Sequence, residues 1–120
     1  VSRPLSDLLD EVERAPLYAF VEVAGQRYLL THSGLGVFSP EKPIEEYTER
    51  ELLWHRPYVE ETYYPDTIVV FGHTPTLLLD LDSCGRVLRT PTWIDVDTGA
   101  AMGQEPTLLC LDTMEEYRLA

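Results

Sequence analysis

Ile68 to Phe71 is an unbroken apolar run that stops abruptly at Gly72-His73-Thr74-Pro75. A run this short, three of its four residues β-branched, reads as a strand buried on both faces, as in a parallel sheet. The same pattern occurs twice more. Tyr28-Leu29-Leu30 runs into Thr31-His32, and Trp93-Ile94 runs into Asp95-Val96-Asp97. In open sheets, groups that act on ligands gather beyond the carboxyl ends of strands, where the backbone turns away and leaves a crevice. Gly34, Gly72 and Gly99 sit beside these exits and are expected to let a ligand approach the backbone.

The remainder places these strands in a mixed α/β unit. Leu5 to Arg14 reads as a helix with Ser6 as N-cap and Pro16 as its stop. Leu17 to Val23 and Arg27 to Leu30 form a hairpin around Gly25. Ser39 to Glu46 is an acidic loop. Thr48-Glu49-Arg50-Glu51 matches a capping box, with Tyr47 and Leu52 as the staple, so a second helix is expected from Thr48 through Arg56, ending before Pro57. Glu60 to Asp66 is a polar loop. Leu77 to Leu81 and Val87 to Arg89 read as strands flanking a turn, and Thr107 to Leu111 with Glu116 to Leu119 as a closing hairpin. Such a chain has helix enough to cover only one face of its sheet, so the other face needs a second sheet from elsewhere.

Charge narrows the partners. Twenty-one acids against nine bases give a formal net charge of −12. Like charges repel nucleic-acid backbones and anionic membranes, and a phosphorylated substrate would need local cations to offset the field. No stretch approaches the roughly 18 apolar residues that span a bilayer, and no signal-peptide pattern is present. The first residue is Val1, not Met, which points to processing or to a piece of a longer chain. Cys84 and Cys110 lack metal-type spacing and are expected to be buried free thiols in a reducing cytoplasm.

From residue types alone, His32 and His73 are as compatible with structural positions as with ligands for Zn, Fe, Mn or Ni. His55 sits within the expected second helix between Trp54 and Arg56, where a solvated or capping role suits it. Arg56 offers a planar fork for bidentate phosphate contacts, or a partner for a nearby Glu.

Four segments, taken together, resemble the serine/threonine protein phosphatases of the calcineurin-like metallophosphoesterase superfamily, in their bacterial branch. Leu29-Leu30-Thr31-His32-Ser33-Gly34-Leu35 is similar to the family's LVHAGL or LCHGGL segment. Leu52-Leu53-Trp54-His55-Arg56 is similar to LLWxR, and Val70-Phe71-Gly72-His73-Thr74-Pro75-Thr76 to VFGHTPT. Asp95-Val96-Asp97-Thr98-Gly99-Ala100-Ala101 and the stretch Leu108 to Tyr117 resemble the closing IDTGA and LxLDTxEEY segments. All occur in the family's order and span nearly the whole chain.

The resemblance implies that residues 1–120 are the C-terminal half of a phosphoric-monoester hydrolase, an α/β unit forming half of a four-layer αββα two-sheet sandwich. It implies His32 and His73 as ligands of one of two divalent metals (Mn, Fe or Zn), Arg56 as the group that holds the substrate phosphate, and Asp97 as a residue behind the site. Two such metals bridge a hydroxide and offset charge on the phosphoryl oxygens, which would supply the positive field that an acidic protein lacks. The family's first three motifs, GDxHG, GDxVDRG and GNHE, do not occur here. The chain contains no Asn at all, so the asparagine ligand is missing too, and Gly103-Gln104-Glu105-Pro106 replaces the usual glycine-pair turn. With two histidines and no bridging carboxylate, metal binding by this chain alone is expected to be weak and phosphoester hydrolysis absent. The complete enzyme would act on a phosphoprotein or a small phosphorylated metabolite, and the missing N-terminal half is an expected partner. A diadenosine polyphosphate hydrolase fragment is a close variant. A shortened, non-catalytic relative serving as an interaction module is the reading from another class.

Overall fold

The computed structural model describes residues 3–118. It is a mixed α/β structure with few helices: a five-stranded sheet in the order β1-β2-β3-β5-β4 and a separate two-stranded hairpin, β6-β7. The chain runs α1 (Arg3–Arg14), β1 (Tyr18–Val23), β2 (Gln26–Thr31), α2 (Glu49–Leu53), β3 (Thr67–Phe71), α3 (Thr76–Leu79), β4 (Leu88–Arg89), β5 (Trp93–Asp95), β6 (Thr107–Leu109) and β7 (Glu116–Arg118). Leu119, expected within the last strand, lies outside the described residues. Among the described residues no helix is long and apolar enough to cross a membrane.

The three strands with polar exits are the middle of the sheet, and they run parallel. Leu29 pairs with Val69 and Val69 with Trp93, and the next row is Leu30, Val70 and Ile94. All three exits therefore leave at the same edge. Beyond the strands the exits remain stitched: the Gly72 amide donates to the His32 carbonyl at 2.9 Å, and the Val96 amide to the Phe71 carbonyl at 2.8 Å.

β3 alternates buried and half-buried residues instead of being buried on both faces. Thr67, Val69 and Phe71 face the core; Ile68 and Val70 face the other way. The core face carries Leu29, Val69, Phe71 and Trp93, packed under Leu35, Tyr47, Leu52 and Tyr63 from the long β2–β3 connection. Its cover is thus mainly irregular chain, with the five residues of α2 and a 3-10 turn at Ile44–Glu46 in helical form. On the second face Tyr28 and Ile94 are buried, while Leu30, Val70 and Val96 line a shallow depression that leads to the histidines.

Several local expectations change. α1 begins at Arg3, so Ser6 lies inside the helix and does not cap it. The capping box at Thr48 forms as expected, with the Thr48 hydroxyl accepting the Glu51 amide and the Glu51 carboxylate accepting the Thr48 amide. That helix, however, ends at Leu53, three residues before Arg56. Leu77 to Leu81, apolar enough to read as a strand, instead forms α3 and a following 3-10 turn at Leu81–Ser83. Pro75 fixes the backbone immediately before α3, and the Thr76 amide, which donates to the Asp97 carbonyl, starts a helical turn there.

α1 shows Leu5, Leu8, Leu9 and Val12 at the spacing of one helical face. That face stays bare: the four side chains are 47–65% exposed. Both cysteines are free thiols, but Cys84 is exposed and Cys110 only half-buried, not buried as expected. Each lies in a short connection, Cys84 in the left-handed position that ends a 3-10 turn.

Candidate metal and phosphate site

His32 and His73 meet at the common exit edge. Nε2 of His32 lies 3.2 Å from Nδ1 of His73. That distance suits an N–H···N bond between neutral rings, and it equally suits two nitrogens on one cation. With metal–nitrogen distances of about 2.1 Å, nitrogens 3.2 Å apart subtend about 100° at the cation, between octahedral and tetrahedral values. The pair therefore fits two neighbouring positions of a coordination sphere. Among the described residues no group of three or more His, Cys, Asp and Glu side chains is placed to complete it.

The backbone holds His73 in place at a cost. Its φ is +69°, a left-handed conformation rare for a non-glycine residue, and the Thr74 amide closes the turn onto the Gly72 carbonyl at 2.7 Å. Such strain is typically worth 1–3 kcal/mol and persists only where surrounding structure enforces it, most often at functional sites. Burial first, and then unfavourable electrostatics with His32 and Arg56, push the His73 pKa below its ordinary value, against an opposing pull from Asp97. Both effects favour the neutral ring, the form that ligates metals.

Arg56 and Asp97 flank this ring electrically. Arg56 lies just past α2, exposed, and among the described residues it makes no ion pair. Asp97 lies behind the strand exits: its amide donates to Asp95 Oδ1 at 3.0 Å, and its Oδ1 accepts the Gly99 amide at 2.9 Å. Of the four candidate residues His32, Arg56, His73 and Asp97, the two histidines touch, and the other two lie close enough to act on the charge of His73.

The glycines serve packing more than ligand access. A Cβ on Gly34 would meet the Tyr63 hydroxyl at 2.9 Å, and φ is +91° there, so only glycine fits. At Gly72 a Cβ would make ordinary contacts, so no close approach demands glycine.

His55 is neither in the helix nor solvated. Its ring Nε2 sits 3.0 Å from both carboxylate oxygens of Glu61, and its amide donates to Ser33 Oγ. Glu61 and Tyr63 escape a sequence reading because Glu60 to Asp66 looks like any polar loop. The one available hint is the pair of aromatic residues, Tyr63-Tyr64, inside it. Trp54 also joins the site, 65% exposed with its ring edge against His73, centroids 5.6 Å apart.

No family model matches the chain, and no curated protein does.

Proposed function

We propose that this chain is the C-terminal part of a metal-dependent phosphoric-monoester hydrolase of the serine/threonine phosphatase type. The observation that carries the reading is the 3.2 Å meeting of His32 Nε2 and His73 Nδ1 at the carboxyl edge of parallel strands. In this reading the two imidazoles share one divalent cation (Mn, Fe or Zn), and a second cation is held by groups outside the chain. Bound metal would polarise the phosphoryl group and supply a hydroxide nucleophile. Arg56 is the phosphate-holding cation and Asp97 steadies the exit backbone beside His73. The substrate class is a phosphoprotein or a small phosphorylated metabolite. A cytoplasmic location belongs to the same reading, in which Cys84 and Cys110 stay reduced.

The remaining metal ligands would come from an N-terminal half that forms the second sheet of an αββα sandwich. Bare apolar surface supports this. The α1 face is exposed, and Val12, Pro16, Leu17, Leu53 and Trp54 continue it to a depression that reaches His32 and His73. Contiguous apolar surface of this kind marks where another element packs.

Two measurements test the reading. The chain alone, given Mn²⁺ or Zn²⁺ and a chromogenic phosphomonoester, is expected to show no turnover above blank; clear turnover refutes the incompleteness of the site. The coding frame upstream of Val1 is expected to encode GDxHG, GDxVDRG and GNHE within a domain's length. A start codon beside Val1 would instead favour a short non-catalytic relative acting as an interaction module. The few basic side chains near the site disfavour a diadenosine polyphosphate.

A further inference from the structure

Among the described residues Arg56 has no side-chain partner to hold it, so its position depends on what fixes the backbone on either side. Glu61 does this from both directions. Its Oε1 lies 3.0 Å from His55 Nε2 and accepts the Tyr58 amide at 3.3 Å, so it bridges the residues that flank Arg56-Pro57. Its Oε2 accepts the Tyr63 hydroxyl at 2.7 Å, and that hydroxyl accepts the Leu35 amide at 3.3 Å, in the loop that follows His32. The Glu61 carbonyl accepts the Trp93 indole N–H at 2.8 Å, and the Tyr63 amide donates to Thr92 Oγ1 at 3.0 Å, so the carboxylate is anchored to β5.

A second connection runs parallel to the first. Ser33 Oγ donates to the Leu52 carbonyl at 2.7 Å and accepts the His55 amide at 3.0 Å, and the Ser33 amide donates to the same Leu52 carbonyl. The loop that carries His32 and the loop that carries Arg56 are therefore joined twice, at Ser33 and through Glu61.

We propose that Glu61 is a positioning residue for oxyanion binding, its carboxylate holding the Arg56 loop in fixed register with the His32 loop. The inference rests on the reading of Arg56 as the phosphate-holding group. Chemistry explains why a carboxylate stands here. Three donors converge on it, from His55, Tyr58 and Tyr63, and an ionised carboxylate presents acceptors only. Burial alone would raise its pKa, but the hydrogen bonds from His55 and Tyr63 outweigh burial and lower it, which keeps the group ionised. Glutamine at this place would turn an N–H₂ donor toward one of the donors.

The test uses the 120-residue chain with inorganic phosphate as probe, followed by NMR at the Arg56 Nε–H. Phosphate is expected to shift this signal in the native chain, and Arg56→Ala to abolish the accompanying shifts at Trp54 and His73. Glu61→Gln is expected to weaken apparent phosphate affinity about tenfold, a loss typical of supporting partners removed from behind a binding group. A core variant, Leu88→Ala, serves as control and is expected to keep native affinity despite lower stability. Native phosphate affinity in Glu61→Gln, with binding lost in Arg56→Ala, overturns the positioning role and leaves the phosphate reading standing. Absent binding in the native chain, or binding indifferent to Arg56→Ala, overturns the Arg56 reading and the proposal with it. Amide exchange gives a ligand-free arm: Leu35 and Tyr58 are expected to exchange faster in Glu61→Gln while Val69 and Ile94 do not change. Unchanged exchange at Leu35 and Tyr58 overturns the clamp. If Glu61→Gln fails to fold, Tyr63→Phe, which removes the hydroxyl that joins Glu61 to Leu35 and leaves the His55 and Tyr58 bonds in place, is expected to weaken phosphate binding; native affinity in that variant also overturns the proposal.

Discussion

Asp95 is fully buried on the core face of β5, and its Oδ2 has no hydrogen-bond partner among the described residues. Its Oδ1 accepts the Asp97 amide, which favours the charged form, but burial dominates, and with the nearby negative charge of Asp97 it pushes the pKa up to about 8. The folded chain thus holds a proton that the unfolded chain releases near pH 3.8. Between those values the native state binds more protons, so stability falls as pH rises. Above the ordinary histidine value of about 6.5 only a few tenths of a kcal/mol of the opposing contribution of His73 remain. Raising the pH from 6.5 to 8 is therefore expected to cost native stability about 1 kcal/mol, because the full slope of about 1.4 kcal/mol per pH unit halves as pH reaches the folded value. In Asp95→Asn this slope should largely vanish. Urea unfolding of both proteins at the two pH values checks it, and parallel slopes would show that Asp95 does not titrate in this window. At this scale His32, His73 and Arg56 stand out in the sequence because their types and neighbours are distinctive. The Glu61 network was not, since a hydrogen bond across 28 residues, as between Tyr63 and Leu35, leaves no local pattern.

Elements with strong local rules follow their sequence. The β1–β2 hairpin forms in the register of Tyr18 opposite Thr31, and the α2 capping box forms with both of its hydrogen bonds. Leu77 to Leu81 goes the other way. Short apolar runs do not distinguish strand from helix by periodicity, and here Pro75 with the Thr76–Asp97 backbone bond decides for a helical turn. α1 obeys its 3.6-residue period, yet its apolar face stays 47–65% exposed. Replacing Leu8 and Leu9 by Gln, which has similar helix propensity, is thus expected to change unfolding free energy by less than about 0.5 kcal/mol per site. It should also lower binding of a dye that reports exposed apolar surface. A loss of several kcal/mol would mean that the α1 face is buried in the free chain.

For the whole molecule, parallel β2, β3 and β5 follow from three apolar runs with polar exits, and their shared edge is what brings His32 to His73. The second face departs from expectation. Tyr28 and Ile94 are buried within the chain, so the bare apolar side chains of α1 and Trp54 lie beside the sheet and not across its second face. No pattern in the sequence sets that distribution, because it depends on where irregular segments come to rest.

The account turns on two imidazoles sharing one cation, and the most direct test is a titration of the chain with Zn²⁺ followed at the ring nitrogens by ¹⁵N NMR. One weakly bound equivalent is expected to shift His32 Nε2 and His73 Nδ1 together, to leave the Glu61-bound ring of His55 unmoved, and to be lost in His32→Ala and His73→Ala alike. Zinc that binds through His55 and Glu61, or shifts one of the paired rings without the other, would contradict it.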